Sequence, residues 1–188
     1  LGKSKPAVSA LGAVIYYLRE NRKTDELEAP SEIEFYEETE FMNLDISARR
    51  NLELTRSMMT GDKRHSLLWV IDNTKTAMGK RMLRSWLERP LISVSQISKR
   101  QNAVGELVDE PMLRDEVKEL LTGVNDIERL MSRIAYGTAN AKELRSLCAT
   151  VERLPALKEL LQNANSALLK SIYNNIDTLQ DVHELINS

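Results

Sequence analysis

The 188-residue sequence has a single cysteine, Cys148, so it can form neither an internal disulfide nor a cysteine-rich metal site. Seven glycines and five prolines are few for this length, which disfavours a sandwich or barrel with many tight turns and leaves room for long helices. Aromatic residues make up only 5% of the chain, whereas leucine is abundant. We therefore expect a mainly aliphatic core between helices.

Two further absences concern charge and hydrophobic runs. The formal charge is −2, although a free-standing DNA-binding domain usually has a basic excess. No apolar run approaches the ~20 residues that span a bilayer, and the first residues lack a signal-peptide pattern. The sequence opens at Leu1 without a methionine, which predicts a segment excised from a longer protein. The single cysteine fits a protein of the reducing cytoplasm.

Helical periodicity begins near the start of the chain. Residues 7–22 carry apolar side chains at helical spacing, which predicts a first helix. Residues 21–31 are polar and contain Pro30, so they predict a loop. Residues 33–45 mix aromatic and aliphatic side chains with glutamates, a pattern that favours a small β-hairpin-like element.

The next stretch predicts a helix, a turn and a buried segment. Asp45 is a good N-cap for a helix over residues 46–55, because its carboxylate can accept from free N–H groups of the first turn. Gly61 marks a turn. The apolar run 66–71 predicts a buried segment, with Trp69 as a core anchor.

A longer amphipathic helix is predicted from Thr76 to Pro90, where proline stops it. The run around Gly79 is not a phosphate-binding Walker A loop, because Thr74 stands where that motif needs glycine and Arg81 where it needs serine or threonine. We expect Gly79 to permit close helix packing instead. The apolar face consists of Met78, Met82, Leu83, Trp86 and Leu87.

Helix-capping residues, prolines and glycines divide the rest of the chain into further predicted helices. Capping pairs that predict helix starts are Ser93 with Gln96, Asn125 with Glu128, Asn140 with Glu143, and Asp177 with Gln180. Pro111 and Pro155 predict restarts, Gly123 a left-handed helix end and Gly137 another end. In the helix after Ser93 the residues expected to point inward are Ile97, Val104, Leu107 and Val108. The predicted fold is an all-α, irregular multi-helix bundle.

Three groups of residues form distinctive sequence motifs. One consists of Leu44, Asp45, Arg49, Arg50, Asn51, Leu52, Glu53 and Leu54. Another consists of Asp72, Thr74, Thr76, Met78, Gly79, Arg81, Leu83, Trp86, Leu87 and Pro90. The last consists of Arg100, Ala103, Val104, Leu107, the run VNDIERL at 124–130, Arg133, Gly137, Ala139, Glu143 and Leu144. These groups resemble the core domain of the MutS family, the DNA mismatch repair ATPases, which often has proline where this chain has Ala77.

The resemblance implies a domain organisation and a role. Residues 1–30 would be an N-terminal helix and linker, the tail of a preceding connector region. Residues 31–188 would be the first segment of the helical core or lever domain III, ending before the clamp insertion. In such proteins this domain joins the ATPase domain to a DNA-gripping clamp, so the implied role is a structural scaffold without catalysis. A stand-alone helical protein–protein adaptor is the alternative.

The resemblance also implies partners and cofactors for the full-length protein. These are mismatched double-stranded DNA, a second copy in a homodimer, a MutL-type partner, ATP and Mg²⁺, in a cytoplasmic, nucleoid-associated protein with no membrane contact. Within these residues we expect no catalytic, cofactor-binding or metal-binding side chains. His65 and His183 are far apart and lack a metal-binding spacing, and Cys148 lies on an apolar stripe as a buried small hydrophobe.

Two other patterns have both a functional and a structural interpretation. Phe35-Tyr36-Glu37 has the letters of the family's mismatch-reading motif, but that motif belongs to a separate domain, so an ordinary strand is expected here. A set of basic residues could face DNA or could form salt bridges on solvated helix faces, and we favour the salt bridges. They are Lys80, Arg81, Arg84, Arg89, Lys99 and Arg100. Arg49 and Arg50 are expected to brace the core, and Trp86 to anchor it or to contact a neighbouring domain.

Overall fold

The computed structural model describes residues 5–22 and 40–187, and the chain divides into two compact units, Leu1–Glu38 and Thr39–Ser188. The described part of the first unit is one helix, α1 (Lys5–Arg22). In the second unit, residues 52–66 separate the first two helices, and the later helices follow one another through short connections. They are α2 (Ile46–Asn51), α3 (Leu67–Ile71), α4 (Ala77–Glu88), α5 (Val94–Asp109), α6 (Pro111–Thr122), α7 (Ile127–Ala135), α8 (Ala141–Val151), α9 (Leu154–Leu160), α10 (Ala167–Asn175) and α11 (Gln180–Asn187).

The described residues are all-α, as the sequence predicts, and the first helix is confirmed. Most of the predicted β-hairpin-like element, including Phe35-Tyr36-Glu37, lies outside the described residues. At its end Phe41 forms one antiparallel bridge with Leu91, and the Met42 N–H donates to the Pro90 carbonyl at 2.7 Å. Residues 40–42 therefore pair with the segment after α4.

The helix predicted over residues 46–55 begins as expected but is shorter. The Asp45 carboxylate caps it by accepting from the Ala48 N–H at 2.6 Å. The helix ends at Asn51, and Glu53 takes a left-handed conformation with φ of 47°. A residue with this backbone cannot continue a right-handed helix, so the chain reverses here.

The reversal supplies a backbone cap for α3. The Glu53 and Leu54 carbonyls accept from the N–H groups of Leu67 and Leu68 at 3.0 and 2.9 Å. The first N–H groups of a helix have no partner inside it, so α3 depends on such acceptors. Glu53 and Leu54 therefore do not extend α2, and their carbonyls instead accept hydrogen bonds from the first residues of α3.

Burial of the apolar run 66–71 is largely a wrong prediction. Leu68 is buried, whereas Trp69 and Val70 are 51% and 64% exposed. Helix α3 has only five residues and buries a single side chain, so its remaining side chains reach solvent. Trp86 is also 41% exposed, so neither tryptophan is a core anchor in this chain.

The four predicted capping pairs all have the same three-residue spacing, and one of them forms a capping box. Asn140 and Glu143 form a reciprocal capping box at the start of α8, as predicted. Ser93 occupies the N-cap position of α5, but its side chain makes no cap hydrogen bond. Asp177 accepts from the Leu179 N–H two residues later at 3.0 Å, in a turn that precedes α11.

The two predicted helix-ending glycines differ. Gly137 follows α7 with φ of 65°, a conformation that favours glycine, so this end is confirmed. Gly123 has φ of −94°, so the left-handed end predicted there is wrong. A Cβ at position 123 would overlap the Arg153 guanidinium, which donates to the Leu120 carbonyl. Gly123 thus allows Arg153 to approach the end of α6.

Two apolar clusters join helices of the second unit. The first joins α5 to α10 and comprises Ala103, Leu161, Ala164 and Leu169. The second joins α7 and α8, with α11 packed against it, and comprises Leu130, Leu147 and Val151. Val104 and Val108, which were predicted to face inward, are 61% and 59% exposed. The inward positions of α5 are those of Ala103 and Leu107, because the small alanine faces the neighbouring α10.

None of the helices in residues 5–22 and 40–187 combines the length and the apolar sequence that a membrane span requires.

Candidate functional site at polar junctions between helices

The loop before α4 is organised by Asp72. Its carboxylate accepts from the Thr74 hydroxyl at 2.6 Å and from the Thr74 N–H at 3.2 Å. The Lys80 ammonium lies 2.6 Å from the same carboxylate. Hydrogen bonds from Lys80 and then from Thr74 hold the pKa of Asp72 below its ordinary value.

The start of α4 explains the glycine of the same run. The Thr76 hydroxyl oxygen caps the helix by accepting from the Gly79 N–H at 2.9 Å. A Cβ at position 79 would lie 3.0 Å from that oxygen, closer than ordinary contact. Gly79 therefore leaves room for the cap of its own helix, and the predicted role in helix packing is wrong.

Arg81 ties α4 to the start of α7 across 45 residues of sequence. Its guanidinium donates to both Asp126 carboxylate oxygens at 2.8 Å and also to Glu128. This fork geometry matches a carboxylate with two parallel hydrogen bonds. The pair raises the pKa of Arg81 further above its usual value, so the guanidinium stays charged.

Asp126 has a second role in the same junction. It is the N-cap of α7, where its carboxylate accepts from the Arg129 N–H at 3.3 Å. Hydrogen bonding to Arg81 and then to that N–H lowers the pKa of Asp126 from 3.8 to about 2. The carboxylate is therefore more easily protonated in the unfolded chain than in the folded one at mildly acidic pH.

We expect the stabilising effect of Asp126 to disappear in acid. Because its folded pKa is depressed, the stabilisation is complete above the unfolded pKa of 3.8 and is lost as pH falls towards about 2. Asp126→Asn keeps an N-cap acceptor but removes the charge. Urea unfolding should show the variant less stable than the parent at neutral pH, with the gap closing between these pH values.

A matched substitution tests whether charge removal alone gives this result. Asp109→Asn changes an exposed carboxylate at the end of α5. We expect no comparable pH-dependent gap for Asp109→Asn. A gap for Asp126→Asn that stays constant down to about pH 2 would contradict the proposed tie.

Glu106 makes the second long-range junction. Its carboxylate accepts from the N–H groups of Asn165 and Ser166 at 2.5 and 2.7 Å, across 59 and 60 residues. Ser166 is the N-cap of α10, and its own side chain makes no cap hydrogen bond. The Asn165 N–H, followed by Ser166, lowers the pKa of Glu106. A side chain of α5 thus caps α10 with a negative charge.

Asn125 makes the third junction, between α8 and the segment before α7. Its N–H donates to the Thr150 hydroxyl oxygen at 3.0 Å, and its amide donates to the Ser146 carbonyl at 3.1 Å. The Thr150 hydroxyl donates in turn to the Ser146 carbonyl at 2.9 Å. The capping role predicted for Asn125 belongs to Asp126 instead, because Asn125 is engaged with α8.

Five of the six basic residues that could have faced DNA have partners within the chain. Lys80, Arg81 and Arg84 form ion pairs, as the salt-bridge interpretation predicts. The Arg89 guanidinium lies 5.0 Å from the Phe41 ring centroid, and that of Arg100 lies 3.8 Å from the Trp86 ring centroid. Arg49 donates to the Leu44 carbonyl at 2.9 Å, which fits its expected bracing role.

The histidines and the cysteine are placed as follows. The His65 ring centroid lies 5.4 Å from that of Trp69. His183 Nε2 lies 3.1 Å from Glu152 Oε1. Cys148 is only 4% exposed, so its predicted burial is confirmed.

Sequence reasoning missed Glu106, Asp126 and Thr150 as junction residues. Their partners lie 25 to 60 residues away, where local patterns give no signal. Asp126 could have been found, because aspartate is as good an N-cap as asparagine and precedes the first apolar residue of α7.

Comparison with known proteins places this chain in a family. A family model described as MutS domain III matches residues 47–188. The DNA mismatch repair protein MutS of Alkaliphilus oremlandii is 46% identical over 181 residues, covering 96% of this chain and 20% of that protein. That of Pelotomaculum thermopropionicum is 45% identical over 183 residues, covering 97% of this chain and 21% of that protein. The chain thus spans about a fifth of the length of these curated relatives. It belongs to the MutS family of DNA mismatch repair proteins, and residues 47–188 correspond to MutS domain III.

Proposed function

We propose that this chain is a structural lever within a DNA mismatch repair protein, coupling an ATPase domain to a DNA clamp. The observation that carries the proposal is the pair of charged junctions at Arg81 and Glu106. Each joins the body of one helix to the start of another helix that is 45 to 60 residues away in sequence. Family membership supports the setting, because the relatives are DNA mismatch repair proteins.

The physical argument is one of rigidity. A helix is stiff because backbone hydrogen bonds tie successive turns. Side chains that bond to the start of another helix fix the position of that helix as well as satisfying its end groups. The two apolar clusters also hold α5 with α10 and include Leu130 of α7, whereas α4 is joined to α7 through Arg81. A displacement applied to such an assembly moves packed elements together instead of bending one of them.

The family also supports a proposal for the longer protein. It would be a homodimeric, DNA-dependent ATPase that uses ATP and Mg²⁺, binds mismatched double-stranded DNA and acts with a MutL-type partner in the cytoplasm, on the nucleoid. Residues 1–30 would belong to a connector and residues 31–188 to the first segment of the core domain. The segment itself would contribute no catalytic residue and no nucleotide ligand. Its contribution would be to transmit a coupling free energy between the ATPase domain and the DNA clamp.

The test weakens one junction in the full-length protein. Glu106→Gln removes the negative charge that caps α10, and Glu110→Gln is a matched control, because Glu110 makes no side-chain cap hydrogen bond. We expect Glu106→Gln to reduce the stimulation of ATP hydrolysis by mismatched DNA about fivefold or more, with basal hydrolysis preserved. Unchanged stimulation in a folded Glu106→Gln protein would contradict the lever.

The alternative function is a stand-alone helical adaptor for other proteins. Exposed apolar residues such as Met82 and Trp86 on α4 are the observation that favours it. An adaptor would bind its partners as an isolated chain and would not require linked ATPase and DNA-binding activities. The Glu106→Gln experiment separates the two, because only the lever predicts loss of stimulation with basal hydrolysis preserved.

A further inference from the structure

Three side chains that can bind metal ions lie together where α8 packs against α11. Cys148 and Glu152 are four residues apart, so they share one face at the end of α8. His183 projects from α11 towards them, with Nε2 3.1 Å from Glu152 Oε1. One ligand atom from each of the three residues lies within 4.8 Å of the others. Within residues 5–22 and 40–187 this is the one group of three or more such side chains that could hold a metal ion.

We propose that Cys148, Glu152 and His183 form a Zn²⁺ site. Thiolate sulfur, imidazole nitrogen and carboxylate oxygen are the ligands that zinc takes in proteins, at about 2.0–2.3 Å. In a tetrahedral site with these bond lengths the ligand atoms lie about 3.3–3.8 Å apart. Because the three ligand atoms all lie within 4.8 Å of one another, their separations exceed that spacing by about 1 Å at most.

The charges of the site balance. Binding releases the Cys148 thiol proton to solvent, so the sulfur becomes a thiolate. One thiolate and one carboxylate then neutralise the two charges of the zinc ion, while the imidazole stays neutral. A neutral complex suits this position, because Cys148 is only 4% exposed and an unpaired charge there would be costly.

The surroundings provide both an entrance and a fixed frame. An open cavity of about 370 Å³ borders the cluster, and its lining includes Glu152, Thr178, Gln180, His183 and Glu184. A water molecule takes up about 30 Å³, so there is room for a water as the fourth ligand. The frame is the apolar cluster of Leu147 and Val151, against which Leu179 and Ile186 of the α11 segment pack.

The polar neighbours of His183 meet at Nε2. That nitrogen lies 3.1 Å from Glu152 Oε1 and 3.0 Å from Asn187 Nδ2. A zinc ion would bind through the lone pair of Nε2, so it would displace the Asn187 amide from that nitrogen. The bound ion would clip α11 to α8, and zinc would therefore raise the midpoint of thermal unfolding.

The experiment titrates the purified chain with Co²⁺, which substitutes for zinc and gives a thiolate-to-cobalt absorption band, and then displaces it with Zn²⁺. We expect one ion per chain and displacement by zinc. Glu152→Gln and His183→Asn change side chains outside the apolar cluster, and each should weaken binding at least tenfold. The matched control His65→Asn should bind as the parent does, and circular dichroism checks that every variant folds.

Three outcomes would overturn the proposal. The first is the absence of a thiolate-to-cobalt band in the folded parent chain. Another is a band whose affinity is unchanged in Glu152→Gln and His183→Asn, which would mean that the Cys148 thiol binds the metal without them. The last is an equal loss of binding in His65→Asn.

Discussion

Replacing Leu147 with alanine is expected to lower the free energy of unfolding by about 2–5 kcal/mol. Leu147 is 4% exposed and lies between Leu130 of α7 and Val151 of its own helix. The substitution removes apolar atoms and leaves a cavity that three helices would have to move together to fill. Because the α11 segment also packs against this cluster, the variant should unfold in urea in one cooperative transition, at a lower urea concentration than the parent.

The control for Leu147→Ala is Leu185→Ala on α11, where the side chain is 76% exposed. Both substitutions place alanine within a helix, so intrinsic helix propensity changes little in either. We expect Leu185→Ala to stay within about 0.5 kcal/mol of the parent. Equal destabilisation by the two substitutions would show that the cluster around Leu147 is not the packed centre of this region.

Local signals were enough to predict some of the helix boundaries. The Asn140 and Glu143 capping box forms as predicted, and Pro111 and Pro155 both lie in the first turn of a helix. Gly137 takes the conformation that a helix end requires. In each case the physical cause acts over a few residues, so the sequence pattern contains all of it.

Distant partners changed the outcome elsewhere. Asn125 has the spacing of a helix cap, but Thr150 and Ser146 offer it hydrogen bonds on another helix. Glu53 continues an apparently helical run, yet its carbonyl is used to start α3. These choices depend on groups 14 to 25 residues away, and no local pattern specifies which of them will be neighbours.

The candidate site was less predictable than the fold for the same reason. The family resemblance included Arg81 and, in the run 124–130, its partner Asp126, but it did not indicate that these two residues meet. Glu106 belonged to no recognised motif. Both act across 45 to 60 residues, after the helices have packed. Helix existence depends on periodicity, whereas a junction depends on which helix ends meet.

Thr150→Val is expected to cost about 1–3 kcal/mol, although it keeps the shape of the side chain. Thr150 is fully buried, and its hydroxyl accepts from the Asn125 N–H at 3.0 Å and from the Asn125 amide at 3.2 Å. Valine cannot accept either bond, so the Asn125 N–H and amide would lose this acceptor. The cost comes from the loss of these part-buried hydrogen bonds at a fully buried position.

Two measurements separate this effect of Thr150→Val from a general loss of packing. Urea unfolding gives the cost, and amide hydrogen exchange should be faster at Asn125 in the variant, because that N–H loses its acceptor. Thr122→Val is the matched control, since Thr122 is exposed and donates only to the Lys118 carbonyl of its own helix at 2.8 Å. We expect that control to change stability by no more than about 0.5 kcal/mol. A Thr150→Val variant with parental stability and unchanged exchange at Asn125 would mean that the junction between α8 and the start of α7 does not depend on this hydroxyl.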